Sequence, residues 1–188
     1  FIVLIAFLFA TILRTYIFQI YYIPSLSMFP NININDRVLV LKDKLFDIEY
    51  SVGDVIVFYS PESSSPNNSE LLIENLKLWE LINNEGNKNQ TVYIKRIVGT
   101  PGDEISINKN GQVFNNDIQV TTENVASTVI LDEIVIKLTE DEYYLLGDNR
   151  DNSFDSRSFG PITSSRIIGK AFFKIYPLDQ IQNLNDWK

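Results

Sequence analysis

A chain of 188 residues and 21.6 kDa suits one sizeable domain with at most a small appendage. Hydrophobic residues make up 45% and charged residues 21%, enough apolar material for a core, which excludes global disorder. The formal net charge of −8 has the wrong sign for gripping phosphates, so no nucleic-acid partner is expected.

Two missing residue types narrow the chemistry further. Without cysteine there is no disulfide, thiolate nucleophile or thiolate metal site, and without histidine no Ser-His-Asp triad or imidazole-held metal. No metal and no cofactor is expected. An enzyme built from this chain must move protons with Lys, Asp, Glu or Tyr.

In chain order, residues 1–13 are apolar apart from Thr11, and the first charge is Arg14. As a helix they would reach about 20 Å, short of the roughly 30 Å hydrocarbon core. Residue 1 is Phe and not Met, so residues 1–13 read as the C-terminal part of a longer transmembrane anchor, with a buried core helix or an uncleaved signal remnant as the alternatives. A basic leading region and a small-x-small cleavage site are both missing, which argues against a secretory signal peptide. Residues 14–188 form the remaining domain.

From Arg14 onward short runs rich in Ile, Val, Phe and Tyr predict strands at 16–23, 37–41, 55–59, 92–98, 104–107, 112–114, 129–136, 143–146 and 168–176. Asn110-Gly111 predicts a two-residue hairpin with a mirror-image turn, which needs positive φ at both central positions. Such a succession of short strands and turns predicts a mainly β barrel or sandwich. Residues 60–90 read as an insertion: a loop at 60–69, then an amphipathic helix at 70–82 with Leu72, Leu76 and Trp79 at helical spacing and Ser69 as N-cap. Asn67-Asn68-Ser69 and Asn89-Gln90-Thr91 fit the glycosylation acceptor pattern.

Three segments hold chemistry-bearing residues. In Ile23-Pro24-Ser25-Leu26-Ser27-Met28-Phe29-Pro30 two hydroxyls sit between prolines that favour extended and turn backbone. In Tyr93-Ile94-Lys95-Arg96-Ile97-Val98-Gly99-Thr100-Pro101-Gly102-Asp103 a lysine lies inside an apolar strand, and strand alternation sends either Lys95 or Arg96 inward. The Gly99–Asp103 stretch is not followed by Gly-Lys-Ser/Thr and is no phosphate loop. In Gly147-Asp148-Asn149-Arg150-Asp151-Asn152-Ser153-Phe154-Asp155-Ser156-Arg157 the calcium-loop register from Asp151 fails, with Ser156 at the sixth place and Ile162 at the twelfth. That leaves a structural loop tied by carboxylate–guanidinium pairs, or the wall of an active site.

Pro-Ser25-x-Ser27-Met28-x-Pro, Ile-Lys95-Arg96-Ile-Val-Gly-x-Pro-Gly-Asp and Gly-Asp-Asn-Arg-Asp-Asn-Ser153-x-Asp155-Ser-Arg157, together with Gly53-Asp54-Val55-Ile56-Val57-Phe58, resemble in order and spacing the signature boxes of the type I signal peptidases. The resemblance runs from about residue 14 to 176. Asn31-Ile32 stands where Thr-Leu is more usual, and residues 60–90 carry no family signature.

The resemblance implies coiled, open, barrel-like antiparallel sheets behind an N-terminal transmembrane segment, with a small helical insertion. It implies a serine endopeptidase that removes signal peptides from exported preproteins after small-x-small motifs, monomeric, in contact with the lipid bilayer, its catalytic domain on the export side. Ser27 would be the nucleophile and Lys95 its general base. Ser25 and the Ser27 N–H would hold the oxyanion, Ser153 would hydrogen-bond and orient the lysine, and Asp155 and Arg157 would stiffen the wall carrying Ser153. Ile23, Met28, Tyr93 and Ile94 would line two shallow substrate pockets beside an extended peptide paired along residues 20–24. A general base must be neutral, so Lys95 needs an apolar site that lowers its pKa. Two other readings stay open: a self-cleaving Ser/Lys protease, and a membrane-tethered β module that binds extended peptides without cutting them.

Overall fold

A computed structural model describes residues 2–43, 46, 48–63, 91–120 and 133–185. The first element is helix α1 (Ile2–Tyr16). Ile2, Val3, Ile5, Phe7 and Phe9 stand exposed on it, while Thr15 is fully buried against the strands. Among the described residues no helix is long and apolar enough to cross a membrane. The strand expected at 16–23 begins two residues late because Tyr16 completes the helix. The buried ammonium of Lys42 holds that helix end, donating to the Arg14 and Thr15 carbonyls at 3.1 Å each. Cations are favoured where the last carbonyls of a helix point outward.

Twelve strands follow among the described residues: β1 (Phe18–Tyr22), β2 (Arg37–Lys42), β3 (Val55–Tyr59), β4 (Val92–Gly99), β5 (Glu104–Ile107), β6 (Val113–Asn115), β7 (Ile118–Gln119), β8 (Ile134–Lys137), β9 (Glu142–Leu146), β10 (Ile162–Thr163), β11 (Ile167–Tyr176) and β12 (Gln182–Asn183). A four-residue helix α2 (Ser156–Phe159) lies between β9 and β10. The larger sheet runs β1-β2-β11-β3-β4-β9-β10 with β12 against β11, and the smaller runs β7-β6-β5-β8. Every pairing is antiparallel. The sheets do not close into a barrel: β1 and β10 end the larger one. Register irregularities along the ten-residue β11 accompany its pairing with β2 and β3. Such irregularities increase local twist, which coils a sheet without closing it.

Beta-branched and aromatic side chains fill three clusters, one around Ile23, Met28, Val40 and Ile94, one around Ile105, Leu138 and Tyr144, and one around Phe58, Ile97 and Leu145. Strand β4 borders all three, which buries it on both faces.

Two local expectations are corrected. The mirror-image turn is not at Asn110-Gly111, where only Gly111 has positive φ (74°) and Asn108 pairs with Gln112 around three intervening residues. It lies at Asn116-Asp117, with φ of 48° and 66°, joining β6 to β7. Asparagine and aspartate tolerate this left-handed backbone better than other non-glycine residues. The helix expected at 70–82, the acceptor asparagines Asn67 and Asn89, and the first part of the strand expected at 129–136 lie outside the described residues.

Candidate active site

Three strand ends bring the three segments together. Beyond β1 the Ile23 N–H still pairs with the Asp36 carbonyl at 3.0 Å, after which Pro24 starts a loop that turns back through Phe29 N–H to Leu26 O (3.0 Å) and Ile32 N–H to Met28 O (2.9 Å). That loop displays Ser25 and Ser27. Strand β4 supplies Lys95, opposite Ile56 of β3. On its other side Arg96 pairs with Leu146, the last residue of β9, so the chain leaves β9 beside Lys95 and enters the polar segment from Gly147.

Lys95 Nζ lies 2.9 Å from Ser27 Oγ and 2.9 Å from its neighbour's carbonyl, Ile94 O. The lysine is only 3% exposed and Ser27 only 8%. Burial pushes the Lys95 pKa down from 10.5 to about 8, against the opposing pull of the Asp155 and Asp148 charges. The Tyr93 ring, 5.6 Å from Nζ, forms one wall. Ser25 Oγ is 3.3 Å from Ser27 Oγ. An alcohol, an amine whose affinity for its proton is lowered by burial and a second hydroxyl therefore share one spot.

Alternation does not send one of Lys95 and Arg96 outward. Both are buried, because β4 is covered on both faces. Arg96 grips Asp148 through two bonds, Nε to Oδ1 at 2.8 Å and an Nη to Oδ2 at 2.7 Å, and also donates to the Gly53 and Leu184 carbonyls. Asn31 adds a 2.8 Å bond to Asp148, so the position where Thr-Leu is more usual supplies a donor here, and Ile32 beside it is fully buried. Sequence reasoning assigned no role to Asp148 or Asn31. The inward turn of Arg96 was the available signal, since a buried guanidinium requires a carboxylate.

Asp155 is fully buried and accepts the Gly147 N–H at 3.0 Å and two bonds from the Arg157 guanidinium at 2.8 and 2.9 Å. Arg157 also donates to the Arg150 carbonyl at 2.7 Å, and Arg150 in turn donates to Gly147 O at 3.1 Å. Burial lowers the Arg150 pKa to about 10, with repulsion from Arg157 adding to the effect. These bonds fold the polar segment into a stiff wall.

Ser153 does not make the expected bond to Lys95: its buried Oγ has no hydrogen-bond partner among the described residues. The lysine amine is directed instead to Ser27 and the Ile94 carbonyl. Ser153 nonetheless stands at the site, since a Cβ on Gly147 would fall 2.2 Å from Ser153 Oγ and 2.5 Å from Ser27 O. Of the expected pocket residues, Ile23, Met28 and Ile94 pack together in the core and Met28 is wholly enclosed. Tyr93 belongs to a different group, edge-on to Phe58 and Phe154 at centroid separations of 6.0 and 6.3 Å.

The family model described as signal peptidase, peptidase S26, matches residues 1–176. The chain belongs to this family. As an S26 member it is a serine peptidase. It is 29% identical over 174 residues to a probable signal peptidase I-2 of Synechocystis sp., covering 93% of this chain and 70% of that one. With a signal peptidase I of Leptolyngbya laminosa the identity is 30% over 172 residues, 92% of this chain and 75% of the relative. With the chloroplastic thylakoidal processing peptidase 1 of Arabidopsis thaliana it is 29% over 161 residues, 86% and 43%.

Proposed function

We propose that this peptidase removes signal peptides from exported preproteins with Ser27 as nucleophile and Lys95 as general base. The observation that carries this reading is the 2.9 Å approach of a buried amine to a hydroxyl. Neutral Lys95 takes the Ser27 proton as Oγ attacks the scissile carbonyl. The resulting oxyanion is received by the Ser27 N–H and the Ser25 hydroxyl, as the 3.3 Å spacing of the two hydroxyls favours. Protonated Lys95 then gives its proton to the leaving amine, which departs and leaves an ester on Ser27. Water attacks the ester, passing a proton to Lys95; the acyl C–Oγ bond then breaks as Lys95 returns that proton to Ser27 Oγ, and the signal peptide leaves with its new carboxyl group. Asp155 with Arg157 holds the wall that carries Ser153.

An extended cleavage region pairs along the outer edge of β1 and residues 23–24, with Tyr93 and the part-exposed edge of Ile94 bounding a narrow pocket that admits Ala, Gly or Ser, and the enclosed Ile23 and Met28 backing it from the core. The exposed apolar side chains of α1 suit a bilayer, so α1 serves as part of a membrane anchor that keeps the monomeric domain at the export face, where preprotein signal segments lie.

The test is cleavage of a preprotein by purified chain. Ser27→Ala and Lys95→Ala should each abolish it while leaving the thermal transition in place, and Leu for Ala at substrate position −1 or −3 should stop it. Wild-type turnover by either variant refutes the pairing. Binding without cleavage by the wild type would restore the non-catalytic peptide-binding reading, and cutting confined to its own chain the self-cleaving one.

A further inference from the structure

Asn149 occupies the position before a short helical turn, Arg150–Asn152, where an asparagine ordinarily caps its own helix, yet its side chain makes no capping bond there. It reaches across the site instead. Its Nδ2 donates to Leu26 O at 3.0 Å, and its backbone N–H donates to Ser27 O, also at 3.0 Å. Two successive carbonyls of the nucleophile loop are thus held by one residue of the opposite wall.

The Leu26 carbonyl shares its peptide unit with the Ser27 N–H. That unit is trans, and in a planar trans peptide the C=O and N–H point in opposite directions, so fixing one aims the other. The Phe29 N–H, 3.0 Å from the same oxygen, braces the plane from within the loop. The Ser27 N–H donates to no group among the described residues. A hydrogen bond accepted at the carbonyl also polarises the amide and strengthens the N–H as a donor.

We propose that Asn149 is a positioning residue that aims the Ser27 N–H at the oxyanion formed during peptide cleavage. The inference rests on the assignment of Ser27 as nucleophile and adds to it the residue that orients its donor. Asn149 touches neither substrate nor Lys95 in this role; it acts through the Leu26–Ser27 peptide.

The experiment compares wild type, Ser27→Ala and Asn149→Ala as full-length purified chains on a soluble peptide with Ala at −1 and −3. Removing a whole oxyanion donor costs about 10²–10³ in kcat, so loosening its aim should cost about tenfold or more. The loss should fall on kcat with KM unchanged, and the acid limb of the pH profile should not move. A peptide boronate that forms a tetrahedral adduct with Ser27 should lose affinity by a similar factor. If Asn149→Ala fails to fold, Asn149→Leu, which keeps the volume and lacks the donor, carries the same expectations. Wild-type kcat, a loss confined to KM, or a shifted acid limb overturns the inference. Cleavage that Ser27→Ala abolishes and Asn149→Ala leaves untouched overturns this inference alone, whereas failure of the wild type to cleave overturns the Ser27 assignment and this inference with it.

Discussion

Gly147→Ala adds one methyl group where Gly147 passes closely between Ser27 and Ser153. Its Cβ would lie 2.2 Å from Ser153 Oγ, 2.6 Å from Ser153 Cβ and 2.5 Å from Ser27 O. The Ser153 hydroxyl can rotate aside. The Ser27 carbonyl cannot, because Asn149 N–H already holds it at 3.0 Å, so the backbone carrying Ser27 must recede by about 0.9 Å to reach ordinary contact. Inserting a methyl into such packing costs about 1–3 kcal/mol, and a misplacement approaching 1 Å costs up to about a hundredfold in rate. The expected result is a fall of about ten- to a hundredfold in kcat for a soluble peptide, with a thermal midpoint lowered by several degrees. A variant with wild-type kcat and an unchanged midpoint would refute the claim that Gly147 sets the spacing of the site.

Asp148→Ala strips the buried Arg96 guanidinium of its carboxylate and should cost about 3–5 kcal/mol in denaturant melts, while Asp148→Asn should recover part of it; unchanged stability in Asp148→Ala would show the pair to be dispensable. Lys95 has its folded pKa pushed down to about 8, so between about pH 8 and 10.5 the unfolded chain binds the extra proton and wild-type stability rises with pH, the cost being present in full below 8. Relative to Lys95→Met, wild type should therefore gain on the order of 3 kcal/mol between pH 7 and 11, read from urea melts; parallel curves would place the amine in water.

The sequence made the strand scaffold largely legible because burial and β-branching coincide in it. Strands β3 and β5 have the expected bounds, since Val55–Tyr59 and Glu104–Ile107 are compact runs flanked by turn residues. The two-residue strands β7, β10 and β12 are too short to show a period, and their pairing depends on partners distant in sequence. Periodicity failed at Lys95 and Arg96 because it assumes one wet face, and β4 has none. The site residues Ser27, Lys95 and Ser25 were legible as motif members and do converge. The tie between Asn149 and the loop at residues 24–30 was not, since a hydrogen bond spanning 123 residues leaves no local pattern. Nor does a motif reveal that Ser153 lies beside the pair without bonding the amine.

The most direct test is titration of the Lys95 side-chain nitrogen itself, followed by NMR in a chain with labelled lysine and assigned by its absence in Lys95→Met. A midpoint near 8, matched by the acid limb of kcat/KM, is the predicted result, because burial lowers the amine's affinity for its proton. A midpoint near the ordinary 10.5 would mean a solvated, charged lysine, and the alcohol beside it would have no base.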